Sequence, residues 1–99
     1  MSGLAKLHAE DRRLTILRTL AQDDDRRVNE FVLKRAVELL GHDVNRDMLR
    51  ADLAWLRGQL LVTVREEGDG AIWIATATEE GVKVSRGKIH PGVAYPVEP

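Results

Sequence analysis

Between Leu60 and Val62 the hydrophobic rhythm of this chain changes. Upstream, Leu49, Leu53, Leu56 and Leu60 recur at spacings of four, three and four, which lines them along one face of an α-helix. Downstream, Val62 and Val64 alternate with Thr63 and Arg65, and Ile72 and Ile74 flank Trp73. That is the alternating pattern of half-buried strands. The run Glu66-Glu67-Gly68-Asp69-Gly70 between them reads as a turn. A helix leading almost directly into a β-hairpin therefore constrains the fold more than any other feature. Two hairpin registers are open. An odd loop such as Glu67-Gly68-Asp69 sets Val62 and Val64 on the face of Ile72 and Ile74, and this register is the expectation. A two-residue Gly68-Asp69 turn would put Trp73 on the face of the valines instead.

Two further helices precede this unit. Leu4, Leu7, Leu14, Leu17 and Ala21, widened by Ile16 and Leu20, form an apolar stripe that leaves out Arg12, Arg13 and Arg18. Asp23-Asp24-Asp25 ends it, because adjacent carboxylates repel and Asp favours turns. Asn29 is an N-cap with Glu30 at the positive end of the next helix. Val28, Val32, Ala36 and Leu39 make one stripe of that helix, Leu33, Val37 and Leu40 its neighbour, and Gly41 supplies the stop. Asn45 caps the third helix, which runs from Arg46 to about Gln59. Two helices joined by a short turn anchored by Val44 make a helix-turn-helix pattern. Thr78 caps a short fourth helix, with Glu79 and Glu80 in its first turn and Lys83, Arg86 and Lys88 toward its end. The expected architecture is α+β, mainly α: a three-helix core, a hairpin wing, a short C-terminal helix and an extended tail. Residues 1–89 form one domain, and the proline-bearing residues 90–99 are either disordered or laid on another surface.

Ninety-nine residues suffice for one core. The absence of cysteine excludes disulfides, thiolate nucleophiles and Cys-ligated metals. No apolar stretch is long enough to span a bilayer, and the N-terminal residues lack a signal-peptide core. A cytoplasmic protein without membrane contact is expected. His8, His42 and His90 lack metal-ligand spacing, Ser2 and Ser85 sit in no nucleophile motif, and no loop has phosphate-binding spacing. The sequence therefore supports no catalytic, metal or cofactor site.

Arg50-Ala51-Asp52-Leu53-Ala54-Trp55-Leu56 followed by Leu61-Val62-Thr63-Val64 resembles the recognition helix and wing entry of ArsR-like winged-helix proteins. Thr78-Glu79-Glu80-Gly81 resembles the start of the helix that often follows such a wing. With Glu10-Asp11-Arg12-Arg13-Leu14 and the Pro-Gly-Val of the tail, residues 4–93 are similar to a family of small proteins of Mu-like prophages. The resemblance implies a winged helix-turn-helix fold and a phage setting in a bacterial host cell, and it assigns no activity. The pattern departs from the family at Leu60, where Gly is usual. A left-handed Leu costs about 1 kcal/mol relative to Gly, which leaves the construction of this turn open.

Arg46, Arg50 and Arg57 share one face of the third helix, opposite its Leu seam, with small Ala54 between them. With Asn45 they are the candidate contacts to double-stranded DNA, the two N-terminal arginines at base edges and Arg57 on phosphate. Against this stand a net charge of −1, an equal number of Asp and Arg between Asp43 and Arg57, and the acidic wing tip. The expected function is that of a phage DNA-binding protein with transcriptional regulation as its role, and the rival is a phage accessory or assembly protein docking other phage proteins. A homodimer is expected, through the first helix and the segment from Ile89 to Val97. Trp55 and Trp73 either flank the core or face a partner.

Overall fold

A computed structural model describes residues 3–97, so Ser2 and the last two tail residues lie outside it. The described chain runs α1 (Gly3–Gln22), β1 (Arg27–Asn29), α2 (Glu30–Leu39), α3 (Arg46–Gly58), β2 (Val62–Glu67), β3 (Ile72–Ala77) and α4 (Glu79–Ser85). It is a mixed α+β structure, mainly helical, with a three-stranded antiparallel sheet in the order β1-β3-β2.

Local chemistry explains the helix starts. The Asn29 side chain accepts from the backbone N–H groups of Phe31 and Val32, and Asn45 from that of Met48. The Thr78 hydroxyl caps α4 by accepting from Gly81. Gly41 follows α2 with φ +97°, a left-handed conformation that glycine adopts without strain.

The core is built on the second half of α1. Leu14, Thr15, Ile16 and Leu17 are four consecutive buried residues, which a helix achieves only when neighbours cover most of its circumference. Leu33 and Val37 of α2, Leu49, Leu53 and Leu56 of α3, and Val82 and Val84 of α4 join the same cluster. A buried Arg12 fork grips Asp52 and ties α1 to α3, its Nη2 lying 3.0 Å from Oδ1.

Five local expectations are corrected. The strand β1 was not anticipated; Arg27, Val28 and Asn29 pair with Thr76, Ala75 and Ile74 of β3. Three residues carry no readable alternation, and the pairing is completed by a strand some 45 positions away. The hairpin takes neither register considered. Glu67 faces Ile72 across the four-residue loop Gly68-Asp69-Gly70-Ala71, so Val62 and Val64 oppose Ala77 and Ala75, and Trp73 shares their face. Gly68, Asp69 and Gly70 all have positive φ, which lets this even-length loop close. Leu60 is not on the α3 seam: its side chain is 75% exposed, and Leu61 takes the buried place. Leu4 and Leu7 lie exposed on the first turns of α1, beyond the reach of the other helices. Only one of the two α2 stripes is buried, so Val32 and Leu39 face outward, and Leu40 beyond the helix end is exposed as well.

Residues 90–97 lie across α1 and α3. The backbone N–H of Ala94 donates to the Glu10 carbonyl at 3.1 Å, and Arg13 Nη1 donates to the Gly92 carbonyl at 2.8 Å. Arg13 also stacks on Trp55, 4.0 Å from the ring centroid. Gly92 touches that ring so closely that a Cβ would lie 2.5 Å from it. The tail therefore covers Trp55, while Trp73 lies against the arginines of α3.

Candidate functional site

The densest arrangement of charge outside the core is organised by Glu30. It is the first residue of α2, where the helix N-terminus favours a carboxylate. Its side chain is nonetheless directed inward and is only 1% exposed. Arg50 from α3 meets it as a fork, Nε to Oε1 at 2.9 Å and Nη2 to Oε2 at 2.7 Å. Arg46, one turn earlier, donates from Nε to Oε1 at 3.0 Å. The backbone N–H of Trp73 donates to Oε2 at 2.6 Å. Both arginines also reach the Ala71 carbonyl at the end of the hairpin loop. One carboxylate thus joins α2, α3 and the β2–β3 hairpin.

The electrostatic consequence is strong. Hydrogen bonding from Arg50 holds the Glu30 carboxyl at about 2, with Arg46 and the Trp73 N–H acting in the same direction against the effect of burial. The same bond raises the Arg50 guanidinium above its ordinary value. Glu30 is ionised at any physiological pH.

Around this clamp the guanidinium groups lie against aromatic rings. Arg50 and Arg57 approach Trp73 at 4.7 and 5.5 Å from its centroid, and Arg46 approaches Phe31 at 5.6 Å. Arg57 makes no ion pair among the described residues. The outer surface of α3 otherwise carries exposed Asp47, Met48, Ala51 and Gly58. The hairpin adds Glu66, Glu67 and Asp69, of which Glu67 pairs with Arg65 at 2.7 Å.

Of the residues singled out from sequence, Arg46 and Arg50 converge on Glu30, Arg57 joins them through Trp73, and Asn45 is engaged as the cap of α3. Glu30 was the residue missed. Its signal was present: Glu30, Leu33 and Val37 share the buried seam of α2, and a carboxylate on such a seam needs cationic partners. Asp52 carries the same signal among Leu49, Leu53 and Leu56. It had counted as surface charge, yet Arg12 neutralises it in the interior.

A second polar contact joins α1 to the turn after α2. His42 Nε2 lies 2.9 Å from Asp11 Oδ2 and 3.4 Å from Thr15 Oγ1. Both partners meet the same ring nitrogen, so the trio cannot relay a proton from the hydroxyl to the carboxylate through the ring. Among the described residues no group of three His, Cys, Asp or Glu could hold a metal ion, and no helix is long and apolar enough to cross a membrane.

No family model matches the sequence. Two uncharacterised relatives are similar to it. An uncharacterised protein of Haemophilus influenzae is 34% identical over 80 residues, covering 81% of this chain and 76% of its own length. The uncharacterised protein gp26 of Escherichia phage Mu is 40% identical over 79 residues, covering 80% of this chain and 79% of its own. The chain belongs to the family of phage Mu gp26.

Proposed function

We propose that this protein is a phage winged-helix module that docks onto another protein, and that its third helix does not read bases. The order α1-β1-α2-α3-β2-β3, with β1 on the inner strand of the hairpin, supports the winged-helix assignment. The observation that carries the functional reading is the buried Glu30 clamp on Arg46 and Arg50. Glu30 takes the Nε–Nη2 edge of both arginines and the Ala71 carbonyl takes a further Nη2 N–H, so a two-pronged grip on guanine must give up either the carboxylate or the hairpin loop. A bidentate base contact is worth about 1–3 kcal/mol of discrimination. Stripping a buried carboxylate of its cations costs about 3–5 kcal/mol. The clamp wins.

Docking to protein is supported by a half-buried patch of rings and guanidinium groups at the surface. Trp and Arg are the residues most enriched where binding energy concentrates in protein interfaces, and here Trp73, Arg50 and Arg57 form one plate, with Phe31 and Arg46 beside it. The acidic wing tip and a net charge of −1 oppose phosphate contact. Arg57 alone favours the DNA reading, as a cation without an acidic partner at the exposed end of α3.

Two measurements separate these readings. Selection from random duplexes should enrich no site, and binding to mixed duplex should show a log–log salt slope near zero. Crosslinking in phage-producing cells should capture a protein with the parent and lose it with Trp73→Ala. An enriched site, bound with a slope corresponding to roughly three or more phosphates, would replace docking with DNA recognition.

A further inference from the structure

The segment that covers Trp55 is held by its backbone more than by its side chains. Pro91 and Gly92 form a turn, closed by the Val93 N–H on the His90 carbonyl at 3.2 Å, with Gly92 at φ +88°. One turn apart on α1, the Glu10 carbonyl accepts from the Ala94 N–H and Arg13 Nη1 donates to the Gly92 carbonyl. Trp55 on α3 leaves no room for a Cβ at Gly92, and the His90 ring meets it edge-on at 5.9 Å. Of residues 90–97 only Val93 and Pro96 are buried.

We propose that residues 90–97 are a releasable strap over a turn-binding groove between α1 and α3. The groove takes a Pro-Gly turn followed by an aliphatic residue, and the chain fills it with its own segment until a partner protein supplies another. The groove does not need the strap in order to exist. Arg12 and Asp52 tie α1 to α3 independently of it, and Leu14, Leu17, Leu53 and Leu56 pack in the core. Lys88 is held to α4 by Glu80 at 2.7 Å, so Ile89, 81% exposed, is the hinge between the body and the strap. With the strap closed, Arg13 Nε is buried and lacks an acceptor among the described residues, which weakens the closed state.

The contacts of the strap define the partner. Glu10 and Arg13 bind main-chain groups, so any polypeptide in the same turn can make those two bonds. Selectivity comes from Trp55, which excludes a side chain at the glycine, and from the buried place of Val93. A tethered occupant has the advantage of a high effective concentration. A partner offsets that advantage by filling what the strap leaves open, a cavity of about 640 Å3 bordered by Lys6, Glu10, Gln59 and Trp55 beside Pro91. This site is separate from the docking plate, which is built on Trp73, and neither needs the other.

Amide exchange and peptide binding, both followed by NMR on the full chain, test the strap. In the wild type the Ala94 amide should exchange about a hundredfold or more faster than the Leu53 amide within α3, because opening of the strap alone exposes it. Gly92→Val, strained both by Trp55 and by the left-handed backbone, should release the strap. The Trp55 indole N–H resonance should then shift while circular dichroism keeps its helical signal. A peptide with the sequence of residues 88–97, at roughly millimolar concentration, should bind this variant saturably and return the Trp55 resonance toward its wild-type position. The same peptide carrying Gly92→Val should not bind, and the wild-type chain should bind the parent peptide roughly tenfold more weakly or worse, its groove being filled. An Ala94 amide as protected as that of Leu53, a Gly92→Val chain that unfolds, or an opened chain that does not bind the peptide would each overturn the proposal.

Discussion

Leu60 occupies a backbone conformation that suits glycine, with φ +62°. The turn there is nonetheless the ordinary left-handed ending of a helix: Leu61 N–H bonds the Leu56 carbonyl and Leu60 N–H the Arg57 carbonyl, each at 3.0 Å. The position is held from outside. The Thr78 hydroxyl donates to the Leu60 carbonyl at 2.8 Å, and Thr78 N–H donates to the Leu61 carbonyl at 3.0 Å. Gly81 packs so tightly on this turn that a Cβ would lie 2.0 Å from the Leu61 carbonyl oxygen. The Thr-Glu-Glu-Gly motif thus has a physical basis, a cap whose fourth residue must lack a side chain. Because the Leu60 side chain is largely in solvent, Leu60→Gly should raise stability by up to about 1 kcal/mol in urea denaturation, the strain relieved exceeding the backbone entropy lost. A destabilised variant would mean that the exposed leucine has a partner in the folded protein.

At the scale of elements, helix starts were legible because capping is local: Asn29, Asn45 and Thr78 each bond an N–H two or three residues ahead. The phase of α3 was legible for the same reason, since Leu49, Leu53 and Leu56 repeat at helical spacing and all three are buried. Leu53→Ala should therefore cost about 2–5 kcal/mol, read as a lowered thermal midpoint. An unchanged midpoint would place the buried seam elsewhere. The strands were less legible. Loop length sets hairpin parity, and three residues of positive φ in succession produced an even loop that flips Trp73 to the side of the valines. For α2 the two apolar stripes were indistinguishable in sequence, and the packing of α1, α3 and the sheet against it determined which one is covered.

Across the molecule, Glu30 couples α2, α3 and the hairpin, so its ionisation belongs to the stability of the whole. Its folded-state value of about 2 lies below the ordinary glutamate value of 4.5. A depressed carboxyl stabilises the fold above its unfolded value and loses that contribution as pH falls through the folded one. The window is from about pH 5 down to about pH 2, and the shift corresponds to roughly 3 kcal/mol. Denaturation free energy should fall across that window in the wild type by roughly this much more than in Glu30→Gln. Equal pH slopes in the two proteins would show that the clamp is not maintained in solution. Glu30→Gln should also be less stable at neutral pH, because Arg46 and Arg50 lose a shared buried counter-charge.

The amino-acid sequence by itself determined the helices, their caps, the hairpin and the arginine stripe of α3. Each depends on residues within a few positions of one another, where period and hydrogen-bonding capacity act directly. Tertiary structure decided what those arginines do. Glu30 lies 16 and 20 positions before Arg46 and Arg50, and the Trp73 N–H that completes its shell lies 43 positions after it. Nothing local specifies that convergence, because a guanidinium facing solvent and one facing a buried carboxylate have the same sequence. It arises only when α2 and α3 cross and the hairpin folds against them, which buries Glu30 and leaves its carboxylate dependent on those two cations.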